Sequence, residues 1–126
     1  MLTSADLVAF VASRDLETAH SFYGGVLGFE CVESSEFASV YDANRTQPRV
    51  TRVDELSPAP YTVLGWRVED IVAQIGVLRA AGVEFKRYEG MSQDEHGVWT
   101  SPSGARITWF ADSDGHTLSL QEVSAG

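Results

Sequence analysis

Hydrophobic and polar positions along this chain switch between a period near two and a period near 3.6, and the switch happens twice. Residues Leu7 to Ser13 are nearly all apolar or small and predict a buried strand. Arg14-Asp15 closes it, and Asp15 suits an N-cap because its carboxylate can accept from a free first-turn amide. A helix is predicted over Leu16 to Leu27, where Leu16, Ala19, Phe22, Tyr23, Val26 and Leu27 share one face and Glu17, Thr18, His20 and Ser21 the other. Gly24-Gly25 weakens its last turns and Gly28 is the expected stop. Alternation then predicts strands over Phe29 to Glu33, Phe37 to Asp42 and Arg49 to Val53, with a loop over Asn44 to Pro48.

Ser57-Pro58-Ala59-Pro60 interrupts the pattern with a short stiff connector. It is expected to divide one domain, residues 1–126, into a first module over 6–56 and a second over 61–123. Past it the order restarts: a strand over Tyr61 to Val68, Asp70 as cap, a helix over Ile71 to Ala81, Gly82 as stop, then strands over Val83 to Tyr88, Gly97 to Thr100, Arg106 to Phe110 and Thr117 to Val123. Asp15 and Asp70 lie 55 positions apart, and Gly28 and Gly82 lie 54 apart. Such periodicity predicts a duplicated βαβββ unit, hence an α+β fold of two modules with helices outside a mixed β-sheet.

Composition narrows the partners. A net charge of -9 without a Lys/Arg cluster argues against nucleic acid and an anionic membrane surface as partners. No apolar run approaches the roughly 18 residues of a membrane span, and no basic-then-apolar leader opens the chain. The lone Cys31 cannot form an internal disulfide, which fits a reducing cytoplasm.

Three blocks carry a family resemblance. Asp15-Leu16-Glu17-Thr18-Ala19-His20-Ser21-Phe22-Tyr23 is followed by Val26-Leu27-Gly28-Phe29. Trp66-Arg67-Val68-Glu69-Asp70-Ile71 is followed by Leu78-Arg79-Ala80-Ala81-Gly82-Val83. Phe110-Ala111-Asp112-Ser113-Asp114-Gly115-His116 carries Ser113 where the family motif has proline. In this order they resemble the vicinal oxygen chelate superfamily, which includes glyoxalase I, extradiol dioxygenases and bleomycin-resistance proteins. The resemblance implies paired βαβββ modules curled into an open cup around a small-molecule site, in a homodimer.

The resemblance also implies metal-ligand positions on the first and last strands of each module. They fall on Val8, Val63, Ser119 and the range 49–51, where no side chain is a metal ligand. Neither a metal nor a cofactor is therefore expected. Strand alternation gives one shared face to Val8, Phe10 and Ala12, another to Val63, Gly65 and Arg67, and another to Thr117, Ser119 and Gln121. It leaves open the faces of Tyr41, Arg49, Trp99 and Trp109. Arg67 suits either an anionic or carbonyl ligand group or a surface carboxylate. The expected ligand-binding residues are Phe10, Tyr41, Val63, Arg67, Trp99, Trp109 and Ser119. The expected function is metal-free sequestration of an aromatic or planar molecule, and an acidic surface also suits cationic ones. The alternative is a lyase, isomerase or dioxygenase-like enzyme using Asp94, Glu95 or His96 as base, or an unplaced metal site.

Overall fold

The computed structural model describes residues 1–123; residues 124–126 lie outside the described residues. The chain divides into two compact units, one over Met1–Ser57 and one from Pro58 onward. The first holds β1 (Phe10–Ser13), α1 (Leu16–His20), a π-helical turn (Ser21–Val26), β2 (Glu30–Ser34), β3 (Ala38–Asp42) and β4 (Arg49–Arg52). The second holds β5 (Thr62–Arg67), α2 (Ile71–Ala80), β6 (Trp99–Thr100), β7 (Arg106–Ala111) and β8 (Thr117–Glu122). The sheets run β1-β4-β3-β2 and β5-β8-β7-β6, so the repeat read from spacing reappears as one topology used twice. In each unit the first strand lies parallel to the last, and the other pairings are antiparallel. No helix among the described residues is long and apolar enough to cross a membrane.

The caps are where local chemistry demands them. Asp15 Oδ1 accepts from the amides of Thr18 and Glu17 at 3.3 and 3.0 Å, which holds its carboxyl below the ordinary range. Asp70 Oδ1 accepts from the Ala73 amide at 3.1 Å. Gly28 and Gly82 end the helical segments at φ +79° and +95°, a region that penalises any Cβ. In the second unit Ile71, Ile75 and Leu78 are buried, as are Phe110, Leu118 and Leu120. Trp66 stacks on Phe110, 6.4 Å between centroids, so it belongs to the packed side of this sheet.

Three expectations about elements need correction. The first strand is shorter than Leu7 to Ser13, and Leu7, Val8 and Phe10 are 71%, 47% and 68% exposed. Phe10 is in register with Arg49, whose amide reaches Ala9 O at 2.7 Å. The residue before Arg49 is Pro48, which has no N–H to continue the ladder. The first helix is α-helical only to His20, then widens. The Leu27 amide bonds Phe22 O at 2.9 Å, five residues back. Gly24 permits this, because a Cβ there would lie 2.8 Å from His20 Cε1. Finally, residues 83–88 make no strand beyond a single bridge between Phe85 and Phe110. The side chain of Gln93 takes the place of a neighbouring strand. Its Oε1 accepts from Tyr88 N at 2.7 Å, and its Nε2 donates to Lys86 O at 3.0 Å and Gly97 O at 2.8 Å.

Candidate functional site

The parallel pairing of β5 with β8 brings the first and last strands of the second unit side by side. Gly65 is opposite Ser119, and Arg67 is opposite Gln121. On the other edge of β8, Ser119 is opposite Trp109 and Gln121 opposite Ile107; Ile107 in turn faces Trp99 on β6. Residues opposite one another share a face. One face of this sheet therefore carries two rows, Gly65-Ser119-Trp109 and Arg67-Gln121-Ile107-Trp99. The other face holds Leu118, Leu120 and Phe110 and is buried.

The open face is aromatic with a few directed polar groups. Trp99 and Trp109 are both half-buried, 6.3 Å apart between ring centroids and inclined by 34°. Tyr88 meets Trp109 edge to face at 5.5 Å. Neither indole N–H has a hydrogen-bond partner among the described residues. Gly65 makes the floor low. A Cβ at that position would lie 2.6 Å from Ser119 Oγ, so the hydroxyl leans over the glycine. Val63 sits at an irregularity in the pairing between Thr62 and Leu64.

Five of the expected residues belong to the second unit. Val63, Arg67, Trp99, Trp109 and Ser119 lie on or beside this one sheet. Phe10 lies in the first unit, exposed and opposite Arg49. Tyr41 is fully buried on the helix side of the first sheet, where its hydroxyl meets His20 Nδ1 at 3.0 Å and its ring packs 5.9 Å from Tyr23. Burial raises its phenol pKa, and neighbouring Cys31 adds to that. Tyr88 and Ile107 were not among the expected site residues. Ile107 was within reach of strand alternation, two residues before Trp109. Tyr88 carries no such signal, since Gln93 positions its segment.

Two cavities belong to the first unit. One, of about 660 Å³, is lined by residues including Arg14, His20, Cys31, Ser39 and Arg52. The other, of about 340 Å³, lies against Leu7, Val8 and Arg45.

The acidic stretch near residue 94 is a built loop. Asp94 Oδ1 accepts from the amides of His96 and Val98, both at 2.9 Å. Arg87 holds Glu95 O at 2.9 Å and Arg79 holds His96 O at 3.2 Å. Burial opposes ionisation of Asp94, but the two amides, with His96 and Arg106, leave its carboxyl below the usual range. His116 is only 7% exposed. The turn before it is tied inward by buried Asp112, whose Oδ1 accepts from Asp114 N and His116 N at 2.9 Å each. Glu122 caps α2 through Ile71 N at 3.0 Å and pairs with Arg106 at 3.4 Å.

These side chains do not suit the divalent metal that the family resemblance implies. Val8, Val63 and Ser119 offer no imidazole or carboxylate, and among the described residues no three His, Cys, Asp or Glu side chains gather around one point.

Comparison with known proteins agrees with the fold. The model of the Glyoxalase/Bleomycin resistance protein/Dioxygenase superfamily matches residues 6–120. A member of that superfamily from Sphaerobacter thermophilus DSM 20745 superposes with a TM-score of 0.74 at 25% identity, covering 98% of this chain and 100% of that one. TnmS3, an antibiotic binding protein from Streptomyces sp. CB03234, gives 0.72 at 20% identity, covering 98% and 99%. Lactoylglutathione lyase from Agrobacterium tumefaciens gives 0.73 at 17% identity, covering 97% and 96%. No curated protein matches the sequence.

Proposed function

The chain belongs to the Glyoxalase/Bleomycin resistance protein/Dioxygenase superfamily, and we propose that within it the chain is a metal-independent binding protein for a planar or aromatic small molecule. The observation that carries this reading is the pair Trp99 and Trp109. Two inclined, half-exposed indoles stand on an open sheet face with both N–H groups unspent among the described residues. Such rings bind planar molecules by offset stacking and can add a hydrogen bond at the edge. Ser119 Oγ, beside the gap at Gly65, supplies a further polar contact.

The fold is shared by a named lyase and a named antibiotic-binding protein, so the fold does not choose between them. The site chemistry favours binding. Sequestration needs no general base, and Asp94, one of the three bases the sequence offers, is engaged with backbone amides of its own loop. A homodimer in the cytoplasm completes the reading, as the resemblance and the single cysteine suggest.

Calorimetric titration with a panel of neutral polycyclic aromatics tests it, run beside elemental analysis of protein incubated with nickel, zinc and iron(II) and then desalted. Saturable binding is expected, weakened about tenfold or more by Trp109→Ala, with substoichiometric metal throughout. No saturable binding by any compound overturns the reading, and so does stoichiometric retention of one transition metal.

A further inference from the structure

The second unit contains five Lys or Arg side chains, Arg67, Arg79, Lys86, Arg87 and Arg106. Arg79 and Arg87 hold carbonyl oxygens of the loop near residue 94, and Arg106 pairs with Glu122. Lys86 Nζ donates to the Thr117 hydroxyl at 2.9 Å. Arg67 alone reaches no protein oxygen among the described residues. It is exposed, and it heads the row Arg67-Gln121-Ile107-Trp99 on the open aromatic face. No Asp or Glu belongs to either row. Lys86, bonded to the residue two before Ser119 on β8, brings a second cation to the other end of this face, and its partner there is a neutral hydroxyl.

From this we infer that the molecule held on the aromatic face is an anion, a planar ring system bearing a carboxylate, sulfonate or phosphate that Arg67 binds. The inference rests on the proposed binding function and deepens it. It runs against the chain's net charge of -9, which by itself favours cations. The local arrangement outweighs that total. Screening limits exposed charges to about 8 to 10 Å at ordinary ionic strength, so distant carboxylates count for little, and Glu69, two residues past Arg67, forms no ion pair with it among the described residues. Strand spacing of about 4.8 Å puts Arg67 two strands, or roughly 10 Å, from the Ile107 position between the indoles. The arginine stem can span most of that gap to a ligand of two or three fused rings. A planar guanidinium takes both oxygens of a carboxylate at once, which fixes the ring's orientation as well as adding affinity.

The test compares three probes built on one anthracene ring, 9-anthracenecarboxylate, 9-anthracenecarboxamide and 9-anthracenylmethylammonium, by calorimetry on the full chain and on Arg67→Gln. The unaltered protein is expected to bind the carboxylate about tenfold more tightly than the amide and the ammonium least tightly. Arg67→Gln should bring the carboxylate down to the level of the amide and leave the amide unchanged. Raising the salt concentration should weaken the carboxylate alone. Equal affinity for carboxylate and amide, preference for the ammonium, or an equal loss of all three probes in Arg67→Gln would overturn the assignment of charge while the aromatic face stands. If none of the three binds, the proposed binding function falls and this inference with it.

Discussion

Gly65 and Ser119 show how one missing side chain shapes the open face. A Cβ at position 65 would lie 2.6 Å from Ser119 Oγ, closer than real atoms approach. Ser119 is small and can rotate, but doing so moves its hydroxyl out of the floor between Arg67 and Trp109. Gly65→Ala should therefore cost stability on the order of 1 kcal/mol and weaken ligand binding several-fold. In a Ser119→Ala background the same substitution should be nearly neutral for stability. Urea denaturation of the four proteins in this double-mutant cycle checks it, the expected signature being a clear coupling energy between the two sites. Tyr41 makes the opposite point. Its bond to His20 and its full burial place it in the first unit's core, so Tyr41→Phe should alter stability without changing ligand affinity.

At the scale of elements, α2 and the loop near residue 94 invite separate tests. Gly76 lies inside α2, exposed, and a Cβ there would meet nothing within 4 Å. Alanine keeps the helix and loses the entropic cost of glycine, so Gly76→Ala should raise stability by about 0.5 to 1 kcal/mol, seen as a higher melting temperature. The loop depends on Asp94. Its folded carboxyl is held below the unfolded value, so the stabilisation is fully present above the ordinary carboxylate pKa near 4 and disappears as pH falls through the lower folded value. The Asp94→Asn variant keeps an acceptor and loses the titration. Between pH 6 and pH 3 its denaturation midpoint should fall less than that of the unaltered protein, and an identical fall in both would refute this account of the loop.

For the molecule as a whole, the repeat determines what can meet what. Parallel pairing of first and last strands puts Phe10 beside Arg49 in one unit and Gly65 beside Ser119 in the other, positions 55 apart along the chain for the first strands. The two units do not carry equal chemistry: indoles gather in the second, whereas Phe10 stands exposed in the first. A family resemblance that implies a homodimer predicts a sedimentation mass twice the 13.7 kDa of one chain. Sedimentation velocity across a range of protein concentrations checks it, and a chain-mass species throughout would reject it.

The sequence by itself determined the repeated βαβββ order, the capping Asp15 and Asp70, and the stopping Gly28 and Gly82. Each is written in short-range chemistry: a carboxylate near free amides, a residue without Cβ, an apolar position every third or fourth residue. It also showed that Val8, Val63 and Ser119 offer neither imidazole nor carboxylate to a metal, since that follows from side-chain type alone. Tertiary structure decided the rest, because strand register and sidedness depend on partners far along the chain. Only pairing with β8 and β6 put Trp109 and Trp99 on the face of Arg67, and only packing against His20 and Tyr23 sent Tyr41 to the helix side of its own sheet. The widening of the first helix at Gly24 and the replacement of a strand by Gln93 likewise arise from contacts that periodicity does not encode.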